Sequence, residues 1–160
     1  MTKRADPLVN GNFFNYFDDD RVYASNTTST NSNNSCHVIK IMLIGYNLEG
    51  SVPVEVGNLT HLQHLHLSIN HLSGPIDHFV ASLVNLQILD LAHNLFTGSI
   101  PTSICAIKNL SILNLQINKF SKSIPTSIGD LNQLTLIFLD TNHLTSSIPS
   151  NLGPSTFSSK

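Results

Sequence analysis

The chain has 160 residues, of which 41% are apolar and only 11% are charged, and its formal net charge at pH 7 is −2. This composition is too apolar for a disordered tail, and the charge provides no electrostatic attraction to nucleic acid. No apolar run approaches the ~18 residues that a bilayer span needs, so we expect no membrane span in this chain. The first residues lack the apolar segment of a secretion signal, which leaves two expectations open: either the protein stays inside the cell, or its N-terminus lies upstream of Met1.

Residues 1–36 differ in character from the rest. An aromatic cluster, Phe-Phe-Asn-Tyr-Phe at 13–17, is expected to pack over the open end of the domain that follows. Residues 24–35 are rich in Ser, Thr and Asn, a composition typical of a surface loop. We therefore predict a cap-like N-terminal segment over 1–36, a repeat domain over 37–156 and a tail over 157–160.

The repeat domain is indicated by an asparagine that recurs every 24 residues within a constant apolar frame. The second unit reads Leu-x-x-Leu-x-Leu-x-x-Asn over 62–70, followed by Leu72, Gly74 and Ile76. Five units fit one register, although Tyr46 replaces the asparagine of the first. The predicted structural asparagines are Asn70, Asn94, Asn118 and Asn142.

The spacing within each unit predicts its local structure. Alternation in Leu-x-Leu is typical of a strand whose leucines face a core and whose x residues face solvent. The asparagine follows the strand, where its amide can bond backbone groups that the turn leaves unpaired. A second apolar pair is predicted to fill the convex side. Because no unit can bury its apolar face alone, the units must stack into a solenoid with a parallel concave sheet.

The 24-residue pattern with Leu-x-Gly-x-Ile-Pro resembles the plant-type leucine-rich repeat. Gly57-Asn58-Leu59-Thr60-His61-Leu62-Gln63 is similar to the linker between such repeats. The resemblance implies an α/β-type repeat solenoid with irregular or 3-10 convex turns, as in ectodomains of plant receptor-like kinases and in polygalacturonase-inhibiting proteins. It also implies an extracellular or cell-surface location. We expect no cofactor and no enzymatic activity.

Several residues depart from the family pattern. Asp77 stands where the other units have proline, and Lys122 and Ser146 stand where glycine occurs at 50, 74 and 98. A left-handed backbone at those two positions would therefore be strained. No capping sequence follows Asn151-Leu152-Gly153, so we expect a partner chain to cover the last strand edge.

The register also predicts which side chains the concave face presents to a protein or peptide ligand. Those of units three to five form an apolar patch that indicates an interaction surface. The predicted ligand-binding residues are His64, His66, Ile88, Asp90, His93, Ile112, Asn114, Gln116, Ile117, Leu136, Phe138 and Asp140.

The remaining motifs are weaker. Sequons predict glycosylation at Asn26, Asn33, Asn58 and Asn109. His64, His66 and Asp90 could approach a zinc site, but the set lacks further ligands, so we expect no metal. Cys36 and Cys105 lie two repeats apart, farther than a disulfide allows. No nucleophile elbow, phosphate loop or carboxylate pair indicates catalysis.

The sequence therefore favours a non-enzymatic binding module, from a receptor-like ectodomain in signalling or defence. The alternatives are an inhibitor of a cell-wall polygalacturonase and an ice-binding protein. Ice binding would use the Ser/Thr rows of the convex turns, at Ser99, Thr102, Ser103, Ser123, Thr126, Ser127, Ser147 and Ser150.

Overall fold

The computed structural model describes residues 22–27, 35–145 and 148–152. The aromatic cluster at 13–17, Asn33, residues 146–147 and the tail at 157–160 lie outside the described residues. Expectations that fall on them, including strain at Ser146, stay predictions.

A six-stranded sheet forms the concave face. Its order is β1-β2-β4-β6-β8-β10, and every neighbouring pair is parallel except β1 with β2. The alternating leucines of each repeat account for these strands because they bury one side of the sheet. The strands are β1 Val22–Thr27, β2 Ser35–Met42, β4 His64–His66, β6 Ile88–Asp90, β8 Ile112–Asn114 and β10 Leu136–Phe138.

Strand β1 replaces part of the loop that composition indicates for 24–35. It pairs antiparallel with β2, from Val22 opposite Ile41 to Thr27 opposite Ser35. An antiparallel neighbour pairs the backbone groups that β2 would otherwise leave open at the sheet edge. Polar composition alone does not reveal this pairing, because the partner strand supplies the hydrogen bonds.

A second parallel sheet is formed by the segments that come after the asparagine position of each repeat. Its strand order is β11-β9-β7-β5-β3. This sheet was not predicted from the sequence, although the period-two pattern of Leu-x-Gly-x-Ile is a strand signal. Its strands are β3 Glu49–Ser51, β5 His71–Gly74, β7 Leu95–Ser99, β9 Lys119–Lys122 and β11 His143–Leu144.

The convex side is built from short turns of helix. Three are 3-10 helices, at Val54–Asn58, Thr102–Ala106 and Thr126–Asp130, each directly after a proline. The second repeat instead forms one α-helical turn, α1 Asp77–Val80, in which the Val80 N–H donates to the Ile76 carbonyl. Asp77 stands where the other units have proline, so this unit lacks the restriction that proline imposes. No helix among the described residues is long and apolar enough to cross a membrane.

A continuous core runs between the sheets and the convex turns. Its leucines come from the concave strands, and Phe96 and Phe120 stack inside it with ring centroids 6.3 Å apart. The convex pairs predicted from the sequence fill the other side: Val80, Leu83, Ile104 and Ile128 belong to the same buried cluster. The repeat solenoid predicted from the sequence is confirmed.

The repeated asparagines join adjacent units. The Asn118 Oδ1 accepts from the Phe96 N–H at 3.0 Å, and its Nδ2 donates to the Leu91 carbonyl at 2.9 Å, both in the preceding repeat. Asn70, Asn94 and Asn142 make equivalent bonds. Each side chain thus satisfies backbone groups of two units at once.

Replacement of Asn118 by alanine is expected to lower the free energy of unfolding by about 2 kcal/mol, because it leaves the buried Phe96 N–H without its partner and leaves the Leu91 carbonyl only the 3.2 Å bond from Asn94. Urea unfolding followed by circular dichroism measures this loss. Asn85→Ala is the matched control, since Asn85 makes an exposed bond to the Thr60 carbonyl and should cost about 0.5 kcal/mol. Equal losses of unfolding free energy in the two variants would show that the hydrogen bonds of Asn118 do not stabilise the stack of repeats.

The backbone at Lys122 is left-handed, with φ +67°, as at Gly50, Gly74 and Gly98. The strain predicted for this residue is therefore present. Lys122→Gly should raise the free energy of unfolding by about 1 kcal/mol, because glycine adopts positive φ without steric cost. Lys119→Gly on the same strand is the control. Lys119 is exposed and is not left-handed. The Lys119→Gly substitution should therefore lower the free energy of unfolding by about 0.5–1 kcal/mol.

Candidate functional site: the concave sheet

The parallel register aligns the predicted ligand-binding residues in rows across the concave sheet. One row contains Lys40, His64, Ile88, Ile112 and Leu136, each paired with the next. The neighbouring row contains Met42, His66, Asp90, Asn114 and Phe138. The geometry thus brings together the residues that the sequence assigned to one face.

The apolar patch of units three to five is continuous. Ile88, Ile112 and Leu136 stand side by side in their row and are half-buried, as are Phe138 and Ile117. Side chains of this kind retain accessible apolar surface that a ligand could cover. Of the other predicted residues, His64, His93 and Gln116 are half-buried and Asp140 is exposed.

Four of the five residues in this second row, which we call the middle row, are buried, contrary to the expectation that they face solvent, and Phe138 is half-buried. Met42 is 0% exposed, His66 1%, Asp90 2% and Asn114 2%. Parallel strands lie only ~4.8 Å apart, so each of these side chains is flanked on both sides by its neighbours in the row. The position of a residue within the repeat predicts which side of the sheet its side chain occupies, but it does not predict how much of that side chain is accessible to solvent.

Asp90 and Asn114, two residues of the middle row, stabilise the turns that follow their strands. The Asp90 Oδ1 accepts from the Ala92 N–H at 3.2 Å, and the Asn114 Oδ1 accepts from the Gln116 N–H at 3.3 Å. These bonds fix the side chains where the strand ends and the chain begins to turn. Ala92 and Ser68, on the adjoining positions, are also buried.

The left-handed residues form a further row across the face. Ile69, His93, Ile117 and Thr141 have φ between 52° and 58°. A β-branched residue is rarely left-handed, and strain of this kind costs about 1–3 kcal/mol per residue. This strain was not predicted from the sequence, because the repeat pattern does not specify a residue type at this position.

Histidines dominate the electrostatics of the first repeats. The His66 Nδ1 lies 3.8 Å from the Asp90 Oδ2. His64 lies edge-on to His66, with ring centroids 6.2 Å apart. Burial lowers the pKa of His64 below its usual 6.5, and the nearby His66 and Lys40 lower it further. Among the described residues there is no group of three or more acidic, histidine or cysteine side chains that could hold a metal ion.

The sequons and cysteines occupy separate places. Asn58 and Asn109 are exposed, as glycosylation requires, and Asn26 lies in β1. Cys105 is a buried free thiol on the convex side, and the backbone of Cys36 lies in β2. Glycosylation at these asparagines stays a prediction.

Comparison with known proteins agrees with this architecture. The Leucine Rich Repeat family matches residues 61–83, 85–107 and 109–131. The chain is 34% identical to a chain of the BIR3–SERK2 complex from Arabidopsis thaliana, covering 84% of this chain and 72% of that one, with a TM-score of 0.70. No curated protein matches it. The chain belongs to the plant-type leucine-rich repeat proteins.

Two further structures bear on function. The chain is 38% identical to the ectodomain of the Arabidopsis receptor kinase HAESA, which was solved with an IDA peptide hormone ligand. This match covers 71% of the chain but only 19% of the HAESA ectodomain, with a TM-score of 0.67. A plant ice-binding protein is 33% identical over 71% of this chain and 37% of that one, with a TM-score of 0.68.

The lowered pKa of His64 predicts pH-dependent stability. The unfolded chain takes up this proton first as the pH falls through 6.5, so the folded state loses stability between pH 7 and the lower folded-state pKa. His64→Gln should therefore reduce the loss in unfolding free energy between pH 7 and pH 5, measured by urea unfolding. His71→Gln, on an exposed position, is the control. An equal loss of unfolding free energy in His64→Gln and in the parent chain would show that His64 does not cause the pH dependence.

Proposed function

We propose that the chain is a non-enzymatic binding module that recognises a peptide or protein on its concave sheet, within an extracellular receptor-like ectodomain. The observation that carries the proposal is the apolar patch of Ile88, Ile112, Leu136, Phe138 and Ile117, which is aligned by strand pairing and keeps accessible surface. The peptide-bound HAESA ectodomain, which shares the repeat pattern, supports this interpretation.

The chemistry of the patch favours an apolar ligand segment. The row carries three branched aliphatic side chains in succession, with Phe138 beside Leu136. Such a surface gains binding energy by removing apolar area from water. Since Asp140 and Gln116 lie at the border, polar groups of the ligand would find partners there rather than in the middle of the patch.

Ile112→Glu and Phe138→Glu test the proposal. Phage-displayed random peptides and a cell-wall polygalacturonase serve as probes against the immobilised full chain. Each substitution places a charge in the patch and should weaken a captured probe about 30-fold or more, as expected for residues at the centre of an interface. Captured peptides support the proposal, whereas a polygalacturonase retained by the same residues would support the inhibitor alternative.

Val54→Glu is the matched control, because Val54 is an apolar residue 55% exposed on the convex side. It should leave capture unchanged. Probes that bind the parent chain and both patch variants equally would show that the patch is not the ligand site.

The second candidate function is ice binding, favoured by one observation on the convex side. Hydroxyl side chains recur there at equivalent positions of successive repeats: Ser99 and Ser123, and Thr102, Thr126 and Ser150, are all exposed. Ser103 and Ser127 are half-buried beside them. The similarity to a plant ice-binding protein supports this candidate. Thermal hysteresis of the purified chain separates it from peptide binding, because a concave binding site produces no such effect.

A further inference from the structure

A single accessible carboxylate stands at the border of the apolar patch. Among the described strands of the concave face and the turns that follow them, the acidic residues are Asp90 and Asp140. Asp90 is 2% exposed, and its Oδ1 accepts from the Ala92 N–H, whereas Asp140 is exposed. Asp140 is therefore the acidic group of this part of the face that a ligand can reach.

The carboxylate of Asp140 keeps most of its capacity to accept hydrogen bonds. Its Oδ2 accepts a long bond from the Thr141 hydroxyl, at 3.5 Å, and it makes no ion pair with any other described residue. Lys40, the lysine of the described concave strands, lies four strands away in the sheet order. That separation is about 19 Å or more, beyond the Debye length of about 8 Å at physiological ionic strength. The negative charge of Asp140 is therefore available to a cationic group of a ligand.

An aromatic ring stands beside this carboxylate. The Leu115 N–H donates to the Phe138 carbonyl at 2.9 Å, and the Ile117 N–H donates to the Asp140 carbonyl at 3.0 Å. The extended backbone thus continues from Phe138 to Asp140, and side chains two residues apart on such a backbone share one face, about 7 Å apart. Phe138 is half-buried, so the fifth unit presents accessible aromatic surface next to a negative charge.

A ring and a carboxylate in this arrangement match a guanidinium group. The guanidinium of arginine is planar and always charged, it stacks on aromatic faces, and it bonds a carboxylate through two parallel N–H groups. The ammonium of lysine would also meet the carboxylate, but it has neither the plane nor the fork. The pair of Phe138 and Asp140 therefore favours arginine over lysine.

The spacing along β10 relates this contact to the apolar patch. Leu136 precedes Phe138 by two residues and continues the aliphatic row after Ile112. Alternate side chains of an extended peptide are also about 7 Å apart. A ligand that places an apolar side chain on Leu136 consequently places the side chain two positions away on Phe138.

We infer that the concave site selects peptides in which an arginine lies two positions from an apolar residue. The guanidinium lies on the Phe138 ring and bonds the Asp140 carboxylate, while the apolar side chain packs on Leu136 and Ile112. A ligand that covers Asp140 with an apolar group is penalised, because it removes a charge from water without a partner. The inference rests on the proposed function and adds to it the chemistry of the ligand and the residue that determines specificity.

Selection of phage-displayed random peptides on the immobilised full chain tests the composition of the ligand. Peptides captured by the parent chain should be enriched in arginine two positions from an apolar residue. Asp140→Asn removes the charge with little change in shape, so the peptides captured by this variant should lose the enrichment. Asp130→Asn is the matched control, because Asp130 is an exposed carboxylate on the convex side, and it should capture the same peptides as the parent chain.

A double-mutant cycle tests the contact itself. In the synthetic peptide most enriched on the parent chain, arginine is replaced by citrulline, which keeps the shape of the side chain but carries no charge. This replacement should raise the Kd about tenfold on the parent chain, as expected for a lost charge-assisted hydrogen bond, but only about twofold on Asp140→Asn. Phe138→Leu keeps the position apolar and should raise the Kd of the arginine peptide about threefold, and that of the citrulline peptide by less.

The outcomes separate the inference from the proposed function. Peptides that lose binding in Ile112→Glu but show no arginine enrichment would support the concave site and overturn the inference. Equal effects of citrulline on the parent chain and on Asp140→Asn would place the arginine contact elsewhere and also overturn it. If the parent chain captures no peptide, the proposed function fails and the inference fails with it. Circular dichroism confirms that each variant is folded.

Discussion

The hydrogen bonds that the repeated asparagines make between units, which we call the asparagine ladder, are the interaction on which the rest of the structure depends. A leucine-rich unit has enough apolar surface to form a core only when it stacks on another unit. Stacking alone would leave backbone groups unpaired where each strand turns towards the second sheet. Asn70, Asn94 and Asn118 satisfy these groups from within the core, and each bonds its own strand and the preceding unit. The register of both sheets, and so the alignment of the concave rows, follows from these bonds.

The same turn that the ladder stabilises also stores strain. The residue before each asparagine is left-handed, and none of the four is glycine: they are Ile69, His93, Ile117 and Thr141. Gly45 occupies the position in the first unit without that cost. Because these side chains border the concave face, the left-handed backbone places apolar and polar groups at the edge of the candidate site at a cost in stability. A sequence chosen for stability alone would place glycine or asparagine at this position.

The sequence predicted the fold well because the period of 24 residues is a property of the chain itself. It assigned the parallel concave strands, the asparagines, the convex apolar pairs and the strained Lys122, but not the second sheet. It did not predict β1, because a polar strand is held by its partner rather than by its own pattern. Nor did it predict the burial of His66 and Asp90. Periodicity states which face of a strand a side chain occupies, but accessibility depends on what else lies on that face.

The buried middle row limits which side chains of the concave sheet a ligand can reach. Met42, His66, Asp90 and Asn114 are closed to solvent, and the side-chain oxygens of Asp90 and Asn114 accept hydrogen bonds from the turns that follow their strands. These residues therefore stabilise the face rather than contact what binds to it. A ligand bound as proposed would instead meet the row of Ile88, Ile112 and Leu136, which keeps accessible surface. Because those side chains are aliphatic, affinity would come from apolar area removed from water, whereas selectivity would depend on the polar groups at the border of the patch, which penalise a ligand that leaves them unpaired.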